Sequence, residues 1–122
     1  MAFRINHLHL KTPDPRKTAE FYLRHLGATV VSERTSPAGR TTLRLNLHGV
    51  ELNVTDFLED QKLEQFYGLE HIAIDTDDFA AEVARIKAAG VKILEERMLP
   101  DGRNVCFFEG PQGVRLEFIE MR

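Results

Sequence analysis

The sequence has little cysteine and no tryptophan. Its one thiol among 122 residues, Cys106, can form no internal disulfide, so a reducing, cytoplasmic setting is expected. No apolar run approaches the roughly 18 residues that a membrane-spanning helix needs. The opening MAFRINHLHLK has neither an apolar core nor a small-residue cleavage site, which predicts no secretory leader. Basic charge is not in excess: 16 Lys and Arg against 19 Asp and Glu give a net charge of −3, which speaks against a nucleic-acid footprint. There is no G-x-G-x-x-G, no phosphate-binding P-loop and no Ser/His/Asp signature. No low-complexity stretch or Pro/Gly/Ser-rich linker interrupts the chain. The apolar content of 43% is that of a folded protein. The length predicts a single domain, 1–122, able to bury about two thirds of its unfolded surface.

The chain also repeats itself. INHLHLKTPD from Ile5 aligns with LEHIAIDTDD from Leu69, so that His7 falls on His71, Thr12 on Thr76 and Asp14 on Asp78. Each half continues with an amphipathic stretch ended by glycine, Gly27 or Gly90. A β-like run follows (ATVVSE, VKILEE), then a Gly-Arg pair (Gly39-Arg40, Gly102-Arg103), then a glycine and a last strand (GVELNV, GVRLEFIE). Two copies at a period near 64 residues are too few and too long for a solenoid. They read as a duplicated β-α-β-β-β unit: a module over 1–56, a linker over 57–68 and a module over 69–122. Strands are expected at about 3–11, 28–34, 41–47, 50–55, 69–75, 91–97, 103–108 and 114–120. Asp14 caps the first helix with Pro15 at its first position, and Ala19, Tyr22, Leu23 and Leu26 form its apolar stripe. Asp77 or Asp78 caps the second, with Phe79, Val83 and Ile86 as its stripe. His48-Gly49 and Pro111-Gln112-Gly113 predict tight turns. The Leu, Glu and Lys content of 57–67 predicts a short helix there.

Strand parity sorts the side chains by face. Leu8 and Leu10 oppose His7, His9 and Lys11. Val50, Leu52 and Val54 oppose Glu51, Asn53 and Thr55. Ile72 and Ile74 oppose His71 and Asp75, and Val114, Leu116 and Phe118 oppose Arg115, Glu117 and Ile119. The apolar faces are expected under the helices. Each opposite face carries a His from the first strand of its unit and a Glu from the last. The spacings agree closely, 44 residues from His7 to Glu51 and 46 from His71 to Glu117. A polar sheet face is commonly just solvated, but here both residue types recur at matching places while most polar neighbours do not match. Two His and two Glu around a pseudo-twofold axis make a four-ligand site for a divalent transition metal, with two coordination positions open.

At these residues the chain resembles the vicinal oxygen chelate superfamily, which groups glyoxalases, bleomycin-resistance proteins and extradiol dioxygenases. The matches are NHLHLKTPD, FYLRHLGATV, GVELNV, GLEHIAIDTDD and FFEGPQGVRLEFIE, in that order, and they cover nearly the whole chain. The resemblance implies an α+β fold of two paired βαβββ modules forming an open cup, and a homodimer. Within the superfamily the pattern is most like the short bacterial glyoxalase I group. Carried over by position, that group's metal ligands fall on His7, Glu51, His71 and Glu117, and the metal is Ni, Zn, Co, Mn or Fe. The group's substrate-contact positions fall on Lys11 and Thr55; His9 and Asn53, on the same polar faces, are further candidate substrate contacts, with a proton shuttle or a hydrogen-bonded cavity histidine as the alternatives for His9. Lys11 stands where the group has an Arg that grips a glutathione carboxylate, and Thr55 stands where it has an Asn. Lys lacks the planar two-point grip of Arg.

The implied chemistry is proton transfer next to a carbonyl of a small molecule with vicinal oxygens. The metal acts as a Lewis acid and stabilises the enediolate formed when the α-proton leaves. Glu51 or Glu117 serves as catalytic base, and reprotonation at the neighbouring carbon gives a lyase or isomerase of the glyoxalase type. Three alternatives stand beside it. A methylmalonyl-CoA-epimerase-like enzyme uses a similar ligand set. An Fe(II) extradiol dioxygenase uses two His and one carboxylate, which leaves Glu51 idle. A metal-free bleomycin-resistance-type binding protein relies on an aromatic groove, for which this chain has no Trp. Arg40 and Arg103 read as solvated loop arginines rather than contacts for a substrate anion. Cys106 reads as a packing residue, not a nucleophile.

Overall fold

The alternation of apolar and polar residues becomes eight strands and two α-helices in a computed structural model that describes residues 2–121. The chain divides into two compact units. One is His7–Glu70; the other combines the residues up to Asn6 with those from His71 onward. Strand β1 (Phe3–Lys11) crosses this boundary, as does β5 (Gly68–Thr76).

The His7–Glu70 unit contains α1 (Pro15–Leu26), β2 (Thr29–Thr35), β3 (Thr41–Leu47) and β4 (Val50–Thr55). Its strand order is β2-β3-β4-β1, with β1 parallel to β4 and the other pairs antiparallel. Helix α1 starts as the sequence predicts: the Asp14 side chain accepts from the Lys17 amide, and Pro15 occupies the first position, where its missing N–H costs nothing. It ends at Gly27, whose φ of 74° is left-handed and disfavours any residue with a Cβ. Ala19, Tyr22 and Leu23 pack on Leu8, Leu10, Leu43, Leu45, Leu52 and Val54. Leu26, expected in that stripe, is exposed, because the helix ends there. His48 and Gly49, both at positive φ, turn β3 into β4 and fix the register at Leu47↔Val50.

The second unit repeats this plan with α2 (Phe79–Ala88), β6 (Ile93–Met98), β7 (Asn104–Glu109) and β8 (Arg115–Glu120), in the order β5-β8-β7-β6. Asp78, not Asp77, caps α2. Phe79, Val83 and Ile86 pack on Ile74, Cys106, Phe108, Leu116 and Phe118. The turn before β8 is a single 3-10 turn, Pro111–Gly113. The first strand's start belongs here because buried Asp75 holds it: Arg4 Nε and Asn6 Nδ2 each donate to its carboxylate at 2.8 Å.

One element differs from expectation. Residues 57–67 form no helix. Their local composition favours one, but tertiary hydrogen bonds hold the backbone in an irregular path. The Gln65 side chain accepts from the Leu58 amide at 2.9 Å and donates to the Leu58 carbonyl at 2.7 Å. Lys11 Nζ then donates to Gln65 Oε1 at 2.5 Å and to the Asp56 carbonyl at 2.6 Å.

Candidate metal centre

The polar strand faces are not ordinary solvated faces. On the second unit, β5 pairs with β8 so that Ala73 lies opposite Glu117, which sets His71 diagonal to it on the same face. His71 Nε2 and Glu117 Oε1 are 3.3 Å apart, with both side chains about 95% buried. For metal–ligand bonds of about 2.1 Å, adjacent donors of one ion lie roughly 3 Å apart, so this pair fits the edge of a coordination shell. The His71 ring is also fixed edge-on by Phe107, with centroids 5.1 Å apart and planes at 88°. Burying a carboxylate is expensive unless it is paired or ligates a metal. Ala73, Val105, Phe107 and Ile119 make the surroundings apolar.

On the His7–Glu70 unit, His7 and Glu51 share one face, next to the Leu8↔Leu52 register pair. His7 is partly buried, its ring 6.5 Å from that of His9. Glu51 Oε1 accepts from Arg44 Nη2 at 2.6 Å, and the Glu51 side chain is 29% exposed. The expected fourth ligand is therefore held by an arginine. Sequence reading missed Arg44, although the turn at His48-Gly49 fixes a register that puts it on the face of Glu51.

The four expected substrate contacts separate. His9, Lys11 and Thr55 are buried. His9 Nε2 and Thr55 Oγ1 lie 2.6 Å apart, and Thr55 Oγ1 also donates to the Asp56 carbonyl at 3.1 Å. Lys11 spends its ammonium on the 57–67 segment. Asn53 differs: its Oδ1 is buried and lacks a hydrogen-bond partner among the described residues, leaving an acceptor for a ligand. Arg103 lies beside Asp101 at 2.9 Å. Cys106 is fully buried, and burial, reinforced by Glu96, pushes its thiol up to about 11. That is the opposite of an activated nucleophile.

Known proteins resemble the chain in sequence and in fold. The chain is 27% identical over 126 residues to a lactoylglutathione lyase of Neisseria meningitidis, covering 98% of this chain and 91% of the relative. Its fold matches a hypothetical protein of Bacillus halodurans with a TM-score of 0.80 at 19% identity, covering 100% and 96% of the two chains. A methylmalonyl-CoA epimerase of Mycobacterium tuberculosis gives 0.72 at 20% identity, covering 97% and 87%. The model of one family, described as the glyoxalase/bleomycin resistance protein/dioxygenase superfamily, matches residues 4–118. With the duplicated βαβββ plan and the His-Glu parity both present, the chain belongs to that superfamily.

Proposed function

We propose that the protein is a metal-dependent enzyme of the lactoylglutathione-lyase kind, which moves a proton from the carbon α to a carbonyl to its neighbour. The observation that carries this reading is the buried His71–Glu117 pair, repeated by position as His7 and Glu51 in the other half. The donors proposed for one divalent transition metal are His7, His71 and Glu117, with Glu51 as the fourth of the family pattern. When bound, such an ion supplies Lewis acidity to two adjacent substrate oxygens.

The chain's own residues do the rest. Arg44 Nη2 donates to Glu51 Oε1 and orients the carboxylate, leaving Oε2 as the oxygen that takes the α-proton and returns it. Glu117, held 3.3 Å from His71 Nε2, is assigned to metal binding rather than to proton transfer. Asn53 Oδ1 accepts a hydrogen bond from a substrate donor. Since Lys11 and Thr55 are committed to internal hydrogen bonds, glutathione lacks its usual clamp and another thiol carrier is favoured. The reading keeps the small-molecule substrate with vicinal oxygens, the homodimer and the cytoplasmic setting expected from the sequence.

The test is exchange of the substrate α-proton with deuterated water, followed by NMR on metal-reconstituted protein. The substrate panel holds α-oxo thioacetals and acyl-CoA esters. Wild type should exchange, and Glu51→Gln should lose a factor of about 10²–10⁴ with metal still bound. Deuterium on the neighbouring carbon marks isomerisation, whereas return to the same carbon marks the epimerase alternative. No exchange together with oxygen uptake on a catechol would replace this reading with the dioxygenase.

A further inference from the structure

The β2–β3 hairpin encloses a pocket of about 430 Å³ with three guanidinium groups in its wall, Arg34, Arg40 and Arg44, and no carboxylate. Ser32, Thr35, Ser36 and Thr42 add hydroxyl groups to its lining. It is built by an irregularity in β2. The pairing runs Val30↔Leu45 and then Ser32↔Arg44, so Val31 is an inserted residue. Without it, Ser32 and Arg34 would face away from Arg44. With it, all three share one face.

The donors are only partly used. Arg44 is committed to Glu51 at 2.6 Å. Arg40 lies 3.7 Å from both Glu59 and Asp60, beyond hydrogen-bonding range, and its buried Nε has no hydrogen-bond partner among the described residues. The buried Ser32 hydroxyl has none either. Arg34 makes no ion pair among the described residues. Leaving buried donors unmade costs stability, and a site that does so is arranged for something else to accept them.

The other half places a carboxylate at the matching position. β6 carries the same bulge, pairing Ile93↔Phe108 and then Glu95↔Phe107. There Glu95 stands at the place of Ser32, Arg97 at that of Arg34 and Phe107 at that of Arg44. Arg97 pairs electrostatically with Glu95, Nε to Oε2 at 3.0 Å but without hydrogen-bond geometry, and its guanidinium lies 5.9 Å from the Phe107 ring centroid. One half compensates its arginine internally and the other leaves it for a ligand.

We propose that the β2–β3 pocket binds a phosphate group carried on a small molecule, with Arg34 and Arg40 as cationic donors and Ser32 as hydroxyl donor. A carboxylate is planar and one guanidinium saturates it. A tetrahedral phosphate presents three oxygens, which suits donors supplied by β2 and by the loop that follows it. The site stands on its own lining residues, so it succeeds or fails independently of the proposed reaction.

The experiment is an ¹H–¹⁵N chemical-shift titration of the intact protein at fixed ionic strength, with phenyl phosphate, inorganic phosphate, acetate and malonate. Both phosphates should shift amides between 32 and 44 saturably, and phenyl phosphate should bind at least as tightly as the free ion. Arg34→Ala should weaken binding at least about tenfold, since a hydrogen bond to a charged group is lost. Ser32→Glu, which copies the other half, should weaken it at least as much. Arg97→Ala should leave it unchanged, and the spectra themselves report whether each variant is folded. Shifts spread over the surface, binding kept in both pocket variants, or equal binding of malonate would overturn the proposal.

Discussion

The two halves share a backbone plan and differ in what they do with the face turned away from the helix. In the second, charged groups pair, His71 with Glu117, Arg97 with Glu95, and Asp75 with Arg4 and Asn6, although Glu82 Oε2 and Glu95 Oε2 lack hydrogen-bond partners among the described residues. In the first, Glu51 leans on Arg44 while Arg34, the Arg40 Nε and Asn53 Oδ1 lack hydrogen-bond partners among the described residues. A duplicated fold sets positions, and divergence at those positions decides which charges each half pairs internally.

The sharpest way to break this comparison is at one repeated position, Lys11 in the first half and Asp75 in the second. They carry opposite charges but do the same job, each buried and each tying a distant segment to its unit. Lys11→Met and Asp75→Ala should each cost about 1–3 kcal/mol in denaturant unfolding, because buried partners lose charged hydrogen bonds. Lys11→Met should also speed amide exchange between residues 57 and 66. If Lys11→Met keeps full stability and instead raises KM, Lys11 is a substrate contact and the first half is more open than described here.

A smaller effect separates the halves by thiol chemistry. Cys106 lies under α2, where burial holds its thiol at about 11. The folded pKa is raised, so the native state keeps its proton where the unfolded chain has already lost it. The stability this contributes is present in full below the unfolded thiol value of about 8.5 and falls as pH rises toward 11. Native protein should resist iodoacetamide at pH 8, and Cys106→Ala should flatten the loss of stability above pH 9. Rapid alkylation of folded protein at pH 8 would show that the second half is not closed.

Much of this was legible in the sequence. Period-two alternation gave the face of Leu8, Leu10, Leu52, Val54, Ile74, Leu116 and Phe118, which pack in the cores under the helices, whereas Val114 lies outside β8 and is 41% exposed. Asp14, Pro15 and Gly27 marked the ends of α1 because capping is local chemistry. What escaped was non-local. The bulges at Val31 and Leu94 have no composition of their own; they exist only in the register between strands. The irregular path of 57–67 depends on Lys11 and Gln65, which a window of helix-forming residues cannot reveal. The near-complete burial of His71 and Glu117 was also hidden, since alternation says which way a side chain points and not whether water reaches it.

Whether the repeated His and Glu residues hold a metal is decided by calorimetric metal titration of the apoprotein. Wild type should bind about one equivalent of Ni, Co, Zn, Mn or Fe(II) per chain. His71→Ala and Glu117→Gln should each weaken binding by more than the roughly 10–100-fold typical of losing a residue that only supports a ligand. Glu51→Gln should weaken it less, because Arg44 already shares that carboxylate. A wild-type chain that stays metal-free with all five ions, or variants at His71 and Glu117 that bind as well as wild type, would contradict metal binding by these residues.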